Sequence, residues 1–309
     1  MYYFRLIIPA LFILLFSYGV SHAQTQLLLS ADESCISESG SGFSTLYRVN
    51  PNTAAADPIG PIGFRAVSGM AVLGDGRLVG SANADANGDR ISILIEIDPF
   101  TGQGSLIGTI GNNNLGGCGR VPDLTYDAST DTLYGTGFRC IPGNSHGGIT
   151  ELLRIDQTTG QGTTIGQTGF FGGGNALAIM RTGGTLFSSE NLDFLTLNPL
   201  TGQGTLVANH PFIEFVMSAM DFSPATGELF GIEFGFDEGF PTNLVTVNTT
   251  NAVISRIGEL PVCSDALVFL PLAPRDVPTL GEWGMISAVV GLGLIGVFFA
   301  VRRRKAQAV

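Results

Sequence analysis

Apolar residues alternate with polar ones in short bursts along this chain, and turn-forming residues break each burst. Ile93, Ile95 and Ile97 alternate with Leu94, Glu96 and Asp98, which sends alternate side chains to opposite faces of a strand. The polar breaks repeat almost letter for letter. "IDPFTGQGSLIG" begins at Ile97, "IDQTTGQGTTIG" at Ile155 and "LNPLTGQGTLVA" at Leu197. Two weaker copies, "LYRVNPNTAAADPIGPIG" and "LVTVNTTNAVISRIGELP", begin at Leu46 and Leu244.

Each copy reads as a β-hairpin. An apolar strand ends on Asn50, Asp98, Asp156, Asn198 or Asn248, and Pro follows in three of the five. Proline fixes φ for a turn and cannot extend the ladder. Thr101-Gly102 and Thr201-Gly202 then supply a residue that tolerates positive φ, before a second short strand. Upstream of four copies lies another hairpin: "GMAVLGDGRLVGS", "DLTYDASTDTLYGT", "ALAIMRTGGTLFSS" and "AMDFSPATGELFGI". Their opening strands centre on Met70, Leu124, Leu177 and Met220, at steps of 54, 53 and 43 residues.

Two hairpins make four antiparallel strands per repeat, and periods of about 40–55 residues with four strands indicate propeller blades. The unequal spacing is then loop variation on a constant sheet. The first copy lacks an opening strand and starts on "TQLLLSADES"; the last is followed by a lone one, "DALVFLP", centred on Leu267. Placing the orphan beside the first strand, near Leu28, completes five four-stranded blades in a ring without free edges. The expected fold is an all-β, five-bladed β-propeller over residues 24–272, closed by its C-terminal strand.

The ends of the chain read differently. Residues 1–23 carry Arg5, the apolar run "LIIPALFILLF" and a small-residue site at Ser21 and Ala23, the pattern of a secretory signal. Residues 273–284 form a linker. The apolar stretch 285–301 has the minimum length of a transmembrane helix, and 302–309 is a tail opening with four bases, which should stay in the cytoplasm. Setting aside Glu282, Arg5 and the tail bases leaves 25 acids against 10 arginines, a net of −15. That balance argues against nucleic acid and anionic membrane surfaces as partners, and suits cations, basic partners or simple solubility.

Four cysteines in an exported chain imply disulfides. Cys118 and Cys263 precede opening strands, while Cys140 and Cys35 follow second strands, so Cys118–Cys140 and Cys35–Cys263 pair equivalents in two blades. The second bridge would clamp the closing strand to the first blade.

The segment "VPTLGEWG", followed by an apolar span and "RRRK", resembles the bacterial IPTL-CTERM sorting signal. Pro278, Thr279, Leu280, Glu282, Trp283 and Gly284 match its usual opening; Val277 and Gly281 replace Ile and Ser. The resemblance covers residues 277–305. It implies a Gram-negative-type envelope, passage through the inner membrane, and processing near the motif by an exosortase-like membrane transpeptidase, with the propeller left at the cell surface or outside it. A plain single-pass anchor is the competing account.

Candidate chemistry is sparse. Mature residues include two histidines, His146 in a glycine-rich loop and His210 before Pro211, both expected to be solvated. HExxH, GxSxG and P-loop signatures are all read as missing, so no familiar hydrolase or nucleotide site is expected. Four residues after Leu28, Leu186 and Leu229 come Asp32, Glu190 and Glu233, which would end equivalent second strands on one face of the ring. Asp85 and Asp89 lie in the corresponding loop of the second blade, and Asp237 and Glu238 in that of the fifth. These residues outline an acidic face able to coordinate Ca²⁺ or another hard cation, with Asp85, Asn87 and Asp89 as the Ca²⁺ loop. Position twelve of that loop is Leu94 where Glu is usual, and a solvated rim is the rival account. No cofactor is implied otherwise. The expected function is noncatalytic binding of a surface or matrix ligand of unknown identity. The alternative is a polysaccharide lyase or hydrolase using these carboxylates.

Overall fold

The computed structural model describes residues 25–32, 43–83, 91–111, 120–141, 144–171, 176–210, 215–235, 241–261 and 263–271. The signal segment, the linker, the sorting motif and the apolar stretch 285–301 lie outside them. Among the described residues no helix is long and apolar enough to cross a membrane.

Gln24–Leu272 is one compact unit. Blade 1 contains β1 (Thr25–Ala31), β2 (Thr45–Val49) and β3 (Ala56–Pro61). Blade 2 contains β4 (Arg65–Val72), β5 (Leu78–Asn83), β6 (Ser92–Ile97) and β7 (Gly104–Thr109). Blade 3 contains β8 (Leu124–Asp127), β9 (Thr132–Ile141), β10 (Asn144–Ile155) and β11 (Gly162–Phe171). Blade 4 contains β12 (Ala176–Ile179), β13 (Leu186–Glu190), β14 (Asp193–Leu197) and β15 (Gly204–Asn209). Blade 5 contains β16 (Phe215–Phe222), β17 (Leu229–Gly235), β18 (Asn243–Val247) and β19 (Ile254–Glu259). The last strand, β20 (Ser264–Pro271), joins blade 1 in the order β20-β1-β2-β3, and all five sheets are four-stranded. Leu29 faces Leu267 and Leu28 faces Val268, so closure occurs where the orphan strand predicts it.

The hydrophobic core divides by blade junction. One cluster packs Leu28 and Leu46 of blade 1 on Leu78, Ile95 and Ile97 of blade 2. Another packs Leu27, Leu29 and Phe269 on Phe230, Ile232 and Leu244, which seals blade 5 to blade 1. Burying a side chain such as Leu or Phe contributes roughly 1.5–3 kcal/mol, so each junction is a substantial source of stability.

The triplicated phrase has two jobs. Within a blade it is the hairpin turn: Asp98 Oδ1 accepts the Phe100 amide at 2.7 Å, and the Gly102 amide donates to the Asp98 carbonyl at 2.8 Å. Gly102, Gly160 and Gly202 have φ between 76° and 82°, and the weak copies place Ala54 and Ala252 there at 60° and 57°. Between blades the phrase is a docking surface. The Gly104 amide donates to the Ile62 carbonyl of blade 1 at 2.9 Å, and that of Gly162 to Ile110 of blade 2 at 3.4 Å. A Cβ on Gly60, Gly108 or Gly166 would overlap the carbonyl of Thr101, Thr159 or Thr201 in the next blade's turn. The outer hairpin of every blade also shifts register, at one place in four blades, for example between Leu94 and Ile95, and at two in blade 3. The extra residues there include Ile59, Ile107 and Ile257, which pack against the neighbouring junction.

The innermost strands have no partner on their channel side, so their amides need other acceptors. Neighbouring blades supply them. Thr125 Oγ1 accepts the Ile179 amide at 3.2 Å, and Asp221 Oδ2 accepts the Phe269 amide at 2.7 Å, in equivalent positions two junctions apart. Asp123 reaches furthest, taking the Leu124 and Leu177 amides at 2.8 Å and the Met220 amide at 3.2 Å. Its carboxylate thereby links blades 3, 4 and 5.

Candidate functional site

The two ends of the ring differ. One carries the short turns within each hairpin pair; the other carries the links from second to third strand and from blade to blade. The second-strand carboxylates sit at this latter end, but not in one column. Cross-strand register pairs Leu27 with Val49, as it pairs Leu186 with Leu197 and Leu229 with Val247. Leu27, rather than Leu28, is therefore the counterpart of Leu186. The column four residues on is Ala31, Ala82, Gly137, Glu190 and Glu233, and Asp32 lies one residue beyond it. The two leucines look interchangeable in "LLLS", which is why the sequence admits the slip.

Each carboxylate has its own surroundings. Glu233 is wholly buried and held by a fork from Arg256: Nε donates to Oε2 at 2.6 Å and Nη2 to Oε1 at 3.0 Å. Asn243 Nδ2 adds a hydrogen bond at 3.3 Å. Glu190 is also wholly buried, but Thr168 Oγ1 donates to it at 3.2 Å and, among the described residues, no arginine does. Burial pushes its carboxyl up to about 7, with the Thr168 and Thr150 hydroxyls opposing and the Asp193 charge adding to the rise. Among the described residues no three of His, Cys, Asp and Glu gather as a metal site. Asp85, Asn87 and Asp89, with Asp237 and Glu238, lie outside the described residues.

Asp32 has a different neighbour. It accepts a hydrogen bond from Ser44 Oγ, and its amide donates to the Cys263 carbonyl at 3.2 Å. Burial raises its pKa, against the pull of Ser44 and the Ala66 amide. Ring closure brings Asp265 to it. Asp265 is the extra residue where β20 shifts register against β1 between Ser30 and Ala31, and bulges commonly re-aim a side chain. Asp265 is half-buried; its carboxyl is pushed up to about 8, first by burial and then by the Asp32 charge, while Arg120 pulls the other way. The result is a carboxyl pair of unequal acidity at the seam of the ring. Asp265 has a sequence signal, a charge inside the apolar strand "SDALVFL", and Asp221 in β16 shares it.

Cys263 is disulfide-bonded, while Cys35, Cys118 and the side chain of Cys140 lie outside what is described.

His210 is buried, contrary to the expectation of a solvated loop histidine. It follows β15 where the other blades place Ile62, Ile110, Thr168 and Leu260, all buried. Its Nδ1 donates to the Ala252 carbonyl at 3.3 Å, which leaves Nε2 to accept from Ser189 Oγ at 3.1 Å. Burial holds its pKa below the usual value. The geometry is that of a nucleophile and base, yet Ser189 is wholly buried and closed to substrate. Contrary to the expectation that no GxSxG occurs, Gly143-Asn144-Ser145-His146-Gly147 does spell it. It falls at the β9–β10 hairpin, whereas the nucleophile elbow needs a strand-to-helix turn. The described side chains do not include that of His146.

At the opposite end, a cavity of about 130 Å³ opens among the inner strands, lined by Thr125, Tyr126, Asp127, Arg181 and Asp221. Asp221 is pushed up to about 6 by burial, partly offset by its two amide partners and the charge of Arg181.

No family model matches this chain. No curated protein matches it either. Solved structures do. The chain is similar to one from a crystal structure of a nidogen/laminin complex, at 10% identity over 80% of this chain and 98% of that one, with a TM-score of 0.46. It is also similar to a structural-genomics protein of unknown function from Bacteroides thetaiotaomicron, at 11% identity over 75% of this chain and 64% of that one, TM-score 0.43. At these values neither likeness bears on a ligand.

Proposed function

We propose that this chain is an exported β-propeller, delivered to the cell surface, that binds a partner or matrix component without turning it over. The binding end is the one that carries Asp32 and Asp265. The supporting observation is how the residues are divided. The turn-bearing end commits its repeated phrase to holding blades together, whereas ring closure sets Asp32 and Asp265 side by side at the other end, where no repeat requires either. Rigid scaffolds place their variable, functional residues on loops in this way.

The tail motif from Val277 supports delivery by an exosortase-like transpeptidase in a Gram-negative-type envelope. Replacing Glu282-Trp283 by Ala-Ala should leave the full-length chain in the inner-membrane fraction instead of at the surface. Equal surface display of both forms would remove the sorting role.

A second reading rests on the unequal carboxyls of Asp32 and Asp265. Such a pair suits general acid and base roles in cleaving an acidic or neutral polysaccharide. One experiment separates the two: the full-length chain and its Asp32→Asn/Asp265→Asn variant are incubated with a panel of envelope and matrix glycans. Retention without new reducing or unsaturated ends, lost in the variant, supports binding. Turnover that the variant lacks would replace it with the enzyme.

A further inference from the structure

The junction of blades 3 and 4 holds an unbalanced polar cluster. Glu190 Oε1, Thr150 Oγ1 and Ser188 Oγ have no hydrogen-bond partner, and they make up three of the six such buried side-chain atoms among the described residues. Thr150 is near enough to act on the Glu190 carboxyl. Ser188 shares a face of β13 with Glu190, since side chains two apart on a strand point the same way. Thr168 of β11 already donates to the second carboxylate oxygen. The Glu190 carboxyl and the hydroxyls of Thr150 and Thr168 thus meet at one buried place, with Ser188 on the same strand face, and neither Glu190 Oε1 nor Ser188 Oγ has a partner.

Blade 5 supplies an internal comparison. Glu233 occupies the same column as Glu190, and Arg256, opposite Val245, neutralises it. In blade 4 the residue opposite Leu195 is Leu206. The charge that acts on Glu190 is that of Asp193, of the same sign. A buried carboxylate without a countercharge is unfavourable, and unbonded hydroxyls beside it add to the cost.

We propose that this junction binds one hard metal cation, held between blades 3 and 4 by Glu190, Thr150, Thr168 and Ser188 through oxygen alone. The cation does for blade 4 what Arg256 does for blade 5. Oxygen-only ligands with a single carboxylate suit Na⁺ or Ca²⁺ rather than a transition metal. The site is structural and independent of partner binding at the surface.

The test is thermal unfolding of the full-length chain by circular dichroism in chelator-treated choline buffer. NaCl, KCl, MgCl₂ or CaCl₂ is added back at constant ionic strength. Either Na⁺ or Ca²⁺ should raise the Tm by about 5–10 °C at a hundredfold excess over its dissociation constant. Glu190→Gln and, as a separate variant, Thr150→Val should lose that increment, while Glu233→Gln keeps it. An increment undiminished in both junction variants would overturn the proposal. So would a wild-type chain indifferent to every cation, which would leave the cluster to a proton or a water molecule.

Discussion

Two glutamates in one column show how far a residue's role depends on what stands across the sheet. Glu233 has a fork of two hydrogen bonds from Arg256, whose own side chain is 48% exposed. Removing that arginine leaves a wholly buried carboxylate with only Asn243 for a partner. Arg256→Ala should therefore destabilise the fold by about 2–4 kcal/mol, read as a lower urea midpoint at unchanged slope. A loss below about 0.5 kcal/mol would mean that solvent, and not the arginine, satisfies Glu233. Neither glutamate's role was legible in the sequence, because burial and cross-strand partners are set by register. A single-residue slip between Leu27 and Leu28 was enough to bring Asp32 into a column it does not occupy. His210 escaped for a related reason: "ANHPF" looks like a loop, and only the blade-to-blade comparison shows the histidine standing in a core position.

At the scale of elements, the repeated phrase was legible as a hairpin because Asx, Pro and Gly each have a local turn role. Its second job was hidden, since the partner of Gly108 is Thr159, in the next blade. Gly108→Ala should push that turn away and cost about 1–3 kcal/mol, seen as a lower unfolding midpoint. The change at Gly76 is a useful contrast. Its φ is +89°, and a Cβ there meets nothing. Gly76→Ala should thus cost only the local backbone strain, about 1–2 kcal/mol, with no change in the packing of blade 3. Blade 4 already carries Ala208 in the column of Gly108, so Ala208→Gly should restore no stability there. The inner strands follow the same logic. Thr125 and Asp221 read as ordinary polar residues in apolar strands, and Asp123 as the residue before one, yet they cap inner-edge amides of blades 4, 5 and 1.

For the whole molecule, the buried acids set a pH dependence. Asp265 titrates at about 8 in the fold against an ordinary 3.8, with Asp32 and Arg120 beside it. A folded-state pKa above the unfolded value gives stability that is complete below the unfolded pKa and is lost as pH rises through the folded one. His210, shifted down, acts in the opposite sense only as pH falls through its unfolded value near 6.5. Between pH 6.5 and 8 stability should therefore fall, by on the order of 2 kcal/mol from Asp265 alone, and Asp265→Asn should lessen that slope without abolishing it, since the Glu190 carboxyl, pushed up to about 7, loses its proton in the same window. Unfolding midpoints measured across this window in chelated buffer check both statements; a rise with pH would reverse the sign of the account. Five blades, their order and the closing strand were all legible in the sequence, because period-two strands and turn chemistry are local signals. The pairing of Asp32 with Asp265 was not, because closure brings the two together from opposite ends of the chain.

That closure is open to a direct test. Pro271 lies opposite Thr25 at the start of β1, so residues 263–271 can be moved ahead of Thr25 through a short glycine-rich turn, making blade 1 continuous. The rearranged chain should unfold cooperatively within a few degrees of the parent, while simple deletion of 263–271 abolishes folding. A transplanted chain that fails to fold, beside a deletion that folds normally, would show that β20 does not complete the first blade.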